Sequence, residues 1–352
     1  MMPRWDWGRK AILNRQYKCK IGPMDAALFT TLPKIRQIRT RRDIAAVADL
    51  IELCFANTMD RDGREYVRYL RKMASGGDFP FISPRNPLEG ISYLPVRGFV
   101  WEEDGLIVGN LSLIYIHRFG RLYALIANVA THPEYRRRGI ARDLTLKALN
   151  AIQSQGLSDA WLHVRDDNPA AEKLYQTLGF EEQFRRTQWQ WEPGLNMGPP
   201  PELEDVKIEK RTRKDWQLQE SWLDRVYPPE IAWNLALEKT RLRPSLQAAI
   251  KHYFSGGEDL HLAARHKGHL IGVLSRQSSP LYSDNLWLGC DPQQEVLAGR
   301  ALLTTIADKK IGTKPLALNY PAGKLVDVVR LCGFYPHLTL IWMRKTFNIE
   351  RK

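Results

Sequence analysis

Ile44, Val47, Ile51 and Phe55 recur at three- and four-residue steps, and Thr40 stands in front of them as a side chain suited to capping. The spacing predicts a helix starting near Arg41. Residues 64–73 carry a second helical pattern. In FVWEEDGLIVGNLSLIYI, 99–116, two apolar runs flank Asp104-Gly105, which predicts two strands and a tight turn. LYALIANVAT, 122–131, reads as a buried strand. A helix is predicted over about 139–155, closed by Gly156. DAWLHVR, 159–165, is another strand. PAAEKLYQTL, 169–178, is a helix closed by Gly179, and RRTQWQW, 185–191, alternates like a final strand. The Gly- and Pro-rich stretch 75–98 is predicted to be a long loop, and loops of that length are often functional. The sum is a mixed α/β pattern.

The pattern then repeats. IRTRRDIAAVADLIELCF (38–55) is echoed by KRTRKDWQLQESWLDRVY (210–227), and VWEEDGLIVGNLSL (100–113) by AARHKGHLIGVLSR (263–276). HPEYRRRGIARDLTLKAL (132–149) is echoed by DPQQEVLAGRALLTTIAD (291–308), and LYQTLGFEE (174–182) by VVRLCGFYP (328–336). Four landmarks in one order predict a duplicated domain. The three consecutive prolines of GLNMGPPPELED stiffen a linker between the copies. The expected organisation is an extension at 1–35, a first domain at 36–193, a linker at 194–206 and a second domain at 207–352.

Composition narrows the function classes. At 352 residues, 44% of them hydrophobic, the chain can bury two cores, and no apolar run approaches the ~20 residues that cross a bilayer. The first twenty residues are charged and lack the apolar stretch of a secretory signal. Cys19, Cys54, Cys290 and Cys332 form no C-x-x-C motif, so four reduced thiols in a cytoplasmic protein are expected. The eight histidines form no ligand-spaced pair, and no metal is expected. The net charge of +13 is concentrated in residues 1–42, which hold eleven lysines and arginines against Asp6 and Asp25. Such an arm suits an anionic partner such as nucleic acid or a membrane surface. A solvated face or a packed extension is the commoner use, and nucleic acid is therefore the lesser reading.

The sharpest feature is RRRGIAR, 136–142. A strand leads through a turn dense in arginine to a glycine that opens a helix. A helix N-terminus leaves N–H groups unpaired and carries partial positive charge, which suits a phosphate. Glycine allows close backbone approach, Ala141 keeps the next position small, and arginines add charge-assisted bonds. The G-K-[ST] of a Walker loop and the G-x-G-x-x-G of a dinucleotide fold are both absent. Arg136-Arg137-Arg138-Gly139-Ile140-Ala141 instead resembles the [QR]-x-x-G-x-[GA] coenzyme A pyrophosphate loop of the GNAT (Gcn5-related N-acetyltransferase) superfamily. VATHP (129–133) resembles the family's strand leading into that loop, and NPAAEKLYQTLGF (168–180) resembles its downstream N-x-x-[AS]-x-x-[FY] segment.

The resemblance, over about residues 36–192, implies two tandem GNAT-like domains, each a mixed, mostly antiparallel sheet flanked by helices. It implies transfer of an acetyl group from acetyl-CoA to an amine. Arg136, Arg137, Arg138, Gly139, Ile140, Ala141 and Arg142 would hold the pyrophosphate, mainly through backbone N–H groups. Val129, Ala130 and Thr131 would pair with the pantetheine, and an N–H of that strand would polarise the thioester carbonyl. Asn168 and Ala171 would contact the pantetheine arm. Tyr175 would protonate the leaving thiolate. An alkyl amine with a pKa near ~10 must lose a proton before it attacks. The carboxylate many relatives carry on or beside that strand is absent, leaving Glu102, Glu103, His132 or a backbone-held water as candidate bases. The acceptor stays open between a protein α- or ε-amine and a small molecule. In the second copy Gly299-Arg300-Ala301 matches Gly139-Ile140-Ala141, Val296 and Val329 then stand in place of Arg136 and Tyr175, and Glu295 is negative where phosphate would sit. That copy reads as degenerate. The alternatives are a non-catalytic acyl-CoA-binding or nucleic-acid-binding module, or transfer of a longer acyl group.

Overall fold

A computed structural model describes residues 34–39, 41–76, 97–193, 203, 205–244, 260–279, 282–308 and 314–348. Thr40, residues 77–96 of the expected long loop, nearly all of the expected linker and the basic residues before 34 lie outside these. In the first half the elements are β1 (Ile35–Gln37), α1 (Arg41–Phe55), α2 (Arg61–Ala74), β2 (Arg97–Glu103), β3 (Leu106–Arg118), β4 (Arg121–Thr131), α3 (Ile140–Ser154), β5 (Asp159–Arg165), α4 (Pro169–Thr177) and β6 (Glu181–Trp191). The second half holds β7 (Val206–Lys210), α5 (Trp216–Val226), the short helices α6 (Pro229–Ala232) and α7 (Lys239–Leu242), β8 (Leu260–His266), β9 (His269–Gln277) and β10 (Asp284–Cys290). It ends with α8 (Glu295–Asp308), β11 (Leu316–Pro321), α9 (Val326–Leu331) and β12 (Tyr335–Thr346). The echoed segments fall on equivalent elements: α1 with α5, β2–β3 with β8–β9, α3 with α8, and α4 with α9. The β2–β3 turn is tight because Asp104 (φ 52°) and Gly105 (φ 77°) both adopt left-handed backbone.

The twelve strands among the described residues form one sheet, in the order β1-β2-β3-β4-β5-β12-β6-β11-β10-β9-β8-β7. The last strand of each half crosses into the other. β12 pairs antiparallel with β5, and β6 with β11, while β6 and β12 pair with each other at the centre. Thr187 and Thr339 share a hydroxyl hydrogen bond of 2.9 Å across that central pair. The cores are exchanged with the strands. Ile341 and Met343 of β12 pack with α3 and β5 of the first half. Trp189 and Trp191 of β6 pack in the core of the second. Accordingly Ile35–Lys352 forms one compact unit.

A second tie crosses the halves. Trp233, just after α6, is fully buried, stacked on Tyr123 of β4 (4.5 Å between centroids) and edge-on to Trp161 of β5 (5.7 Å). Arg118 of β3 donates to the carbonyls of Leu235 (2.6 Å) and Leu237 (2.9 Å) in the same arm. Among the described residues no helix is long and apolar enough to cross a membrane.

Candidate active site

The first half's sheet opens at one place. Parallel β4 and β5 pair only at Leu125↔Trp161 and Ile126↔Leu162. β4 then continues to Thr131 and β5 to Arg165, so their facing backbone edges part. A bulge helps to open them. The β3–β4 register shifts between Asn110/Ala130 and Ser112/Ala127, and Asn128 takes φ 51°. Asn110 is buried and donates its amide to the Asn128 carbonyl (2.9 Å), which holds the irregular backbone. A bulge re-aims backbone groups beside a site. The sequence reading named Val129, Ala130 and Thr131 here but missed Asn110 and Asn128. Asn128 was the one polar residue in an otherwise apolar strand core.

Beyond β4, Pro133–Tyr135 makes a 3-10 turn, and the arginines follow in the open: Arg136, Arg137, Arg138 and Gly139 are all exposed. Arg137 (φ 64°) and Gly139 (φ 81°) both turn left-handed. Gly139 caps α3 without a side-chain bond. Among the described residues none of the N–H groups of residues 137–142 donates to a protein acceptor; the first α3 bond is Asp143 N to the Gly139 carbonyl, 3.0 Å. Six adjacent free N–H groups, with left-handed backbone at Arg137 and Gly139, make a nest of the kind that suits an anion, at the positive end of a helix. The left-handed non-glycine at 137 costs about 1–3 kcal/mol, a strain characteristic of ligand sites. Gly109 on β3 lets α3 lie close, since a Cβ there would stand 2.6 Å from Ile140 Cγ2. Arg138 stacks over Tyr135 (4.7 Å) and Arg136 donates to the Thr131 carbonyl (3.3 Å).

Tyr175 on α4 is 6% exposed and packs edge-on to Phe180 at 5.9 Å. Burial pushes its phenol well above the usual range, so it keeps its proton at neutral pH. Asn168 is the cap of α4, its Oδ1 accepting from Ala171 N at 3.1 Å, so both belong to the opening turn of that helix. Of the candidate bases, the three side chains each have a partner. Glu102 is bonded to Arg36 of β1 (2.6 Å), Glu103 accepts from Trp101 Nε1 (3.2 Å) and lies 3.9 Å from Arg138, and His132 Nδ1 accepts from Glu134 N.

The second half differs at each point. β10 pairs with β9 without a register shift. Gly299 is not the counterpart of Gly139: a Cβ on Gly272 would meet Ala298 and Leu302 as one on Gly109 would meet Ile140 and Leu144. The matching of Gly299 to Gly139 is thereby corrected, because α8 starts at Glu295 and carries helix where the first half has its nest. Glu295 accepts from the buried Tyr320 hydroxyl (2.6 Å), and Lys324 stands 3.9 Å away. Val329 is fully buried.

Among the described residues no cluster of His, Cys, Asp or Glu suits a metal. The model of the Acetyltransferase (GNAT) family matches residues 66–180. The chain is 37% identical over 94 residues to the ribosomal protein bS18-alanine N-acetyltransferase of Haemophilus ducreyi, covering 27% of this chain and 60% of that one. It is 35% identical over 103 residues to the mycothiol acetyltransferase of Kocuria rhizophila, covering 26% and 33%. The matches thus span less than two thirds of either relative. The structure of a GCN5-related N-acetyltransferase from Sphaerobacter thermophilus aligns with 90% of this chain and 97% of its own, at TM-score 0.55 and 16% identity, a likeness of fold.

Proposed function

With residues 66–180 a domain of the GNAT acetyltransferase family, we propose that the chain is an acetyl-CoA-dependent N-acetyltransferase working in its N-terminal half. The observation that carries this is the nest of free N–H groups at 137–142 beside the split, bulged edge of β4. The nest and Arg136–Arg138 suit the coenzyme pyrophosphate, by charge-assisted bonds of about 1.5–3 kcal/mol each. The parted edge of Val129, Ala130 and Thr131 receives the pantetheine as an added strand, and an N–H there faces the thioester oxygen as negative charge develops. Asn168 and Ala171 guide the arm at the start of α4. Tyr175, held protonated by burial, gives its proton to the departing thiolate.

The relatives named as a ribosomal protein bS18-alanine N-acetyltransferase and a mycothiol acetyltransferase support an amine acceptor and leave its class open. Toward the coenzyme, the C-terminal half serves as scaffold and holds no site of its own. Its own glutamate fills the anion position, its strand is regular, and a buried valine replaces the tyrosine.

Isothermal titration of the full chain with acetyl-CoA tests this. One site per chain is expected. Two sites would reject the scaffold role, and no binding would reject the reading altogether. Tyr175→Phe is expected to keep coenzyme affinity and lower turnover about 10²-fold, near the low end for a general acid. Turnover with a panel of primary amines, followed by thiol release, checks it, and an unchanged rate would leave the tyrosine a core residue.

A further inference from the structure

Glu102, Glu103 and His132 are each engaged elsewhere, and the strand exchange brings a further candidate base. β12 enters the first half beside β5, and beyond the end of β5 the Asp166 N–H bonds the Thr339 carbonyl at 3.2 Å. Two residues earlier on β12 stands His337. It is the extra residue of a bulge, since Pro336 pairs with Trp189 and Leu338 with Gln188. The bulge turns its imidazole out of the ladder, and Nε2 lies 3.2 Å from Oδ2 of Asp60. Asp60 caps α2, its other oxygen accepting from Gly63 N at 2.7 Å. The same helix carries Tyr66, whose hydroxyl meets the Asn128 amide at the β4 bulge, 3.3 Å. One helix therefore joins the opened strand and the histidine–aspartate pair. Both members stay partly exposed, with 22% and 31% of their side-chain surface accessible. Nearby, Tyr282 and Tyr335 donate to Glu192 (3.2 and 3.1 Å), and the Arg61 guanidinium lies over the Tyr282 ring at 4.6 Å.

We propose that His337, contributed by the C-terminal half and oriented by Asp60, is the general base for the acetyl transfer proposed above, on which this inference rests. With Nε2–H assigned to the Asp60 bond, Nδ1 carries the free lone pair. It takes one proton from the acceptor ammonium, and Asp60 stabilises the imidazolium. The amine lone pair attacks the thioester carbon; the C–N bond forms and the C–S bond breaks. The thiolate takes the Tyr175 proton. The second proton leaving nitrogen returns through water to Tyr175, and the imidazolium releases its proton to solvent. Both halves then contribute to one active site, which gives the C-terminal copy a role without a coenzyme of its own.

The test uses the full chain, acetyl-CoA, and n-butylamine as probe. His337→Gln is expected to keep acetyl-CoA affinity within about twofold and to lower thiol release about 10²-fold. Asp60→Asn retains a good cap and is expected to lose about tenfold, because only the charge is removed. Added imidazole is expected to restore part of the His337→Ala rate, which a purely structural tie would not show. Turnover of His337→Gln within threefold of the parent, with the fold intact, would overturn the assignment. A readout on the unmutated protein stands apart from folding. The His337 Cε1–H resonance is expected to move more with acetyl-CoA than with CoA. Amides of 137–142 that respond to both while His337 responds to neither would also overturn it. Absence of acetyl-CoA binding would instead overturn the transferase reading beneath it.

Discussion

Gly139→Glu is expected to abolish measurable acetyl-CoA binding, a loss of more than about 10²-fold. The space itself is open, since the nearest atom to an added Cβ is Asp143 Oδ2 at 3.9 Å. Sterics within the protein are therefore not the cause. The backbone at φ 81° charges a non-glycine residue about 1–2 kcal/mol. The larger effect is electrostatic. A carboxylate at the centre of the nest competes for the N–H groups of 137–142 and repels a pyrophosphate. Losing two charge-assisted bonds of about 1.5–3 kcal/mol each, with tenfold in affinity per ~1.4 kcal/mol, exceeds a hundredfold. Gly139→Ala separates the terms: it carries the backbone cost without the charge and is expected to bind more weakly by about tenfold. Calorimetric titration of both variants checks this. A Gly139→Glu chain that binds like its parent would remove the nest from the site.

Trp233→Ala is expected to destabilise the chain by about 3–5 kcal/mol, the range for truncating a buried tryptophan. Its ring contacts Tyr123 and Trp161, and Trp233 Nε1 donates to the Glu230 carbonyl at 2.8 Å. The two ring contacts cross between the halves, so the loss is expected to appear at β4 and β5 rather than only in the arm. Amide hydrogen exchange at residues 121–126 should accelerate alongside a lowered denaturation midpoint. Trp233→Phe should recover most of the stability, because stacking on Tyr123 survives. A loss under 1 kcal/mol would mean that the Arg118 bonds and the exchanged strands hold the halves without this side chain.

Much of the first half was legible in order because its signals are local. The periodicity of Ile44, Val47 and Ile51 became the inward face of α1, with Val47 and Ile51 buried and Ile44 half-buried beside them. Asp104-Gly105 became the hairpin turn, and the arginine run followed by Gly139 became the nest before α3. The landmarks of the second copy were legible by repetition, but Gly299, matched to Gly139, lies inside α8 rather than before it. Glycine marks a cap only where the chain stops being helical, and that depends on packing against Gly272 and on Glu295 finding Tyr320.

The order of elements, the duplication and the exposed arginine turn that opens α3 were written in the sequence, because hydrophobic period, turn residues and charge act over a few neighbours. Which strand pairs with which was not. RRTQWQW alternates equally well beside β5 or β11, since alternation specifies a face and not a partner. Only the tertiary structure decided that β6 and β12 change places, that Ile341 completes the first core and Trp189 the second, and that His337 stands beside Asp60 across 277 positions of chain. Those choices depend on contacts summed over both halves, and no local pattern carries such a sum.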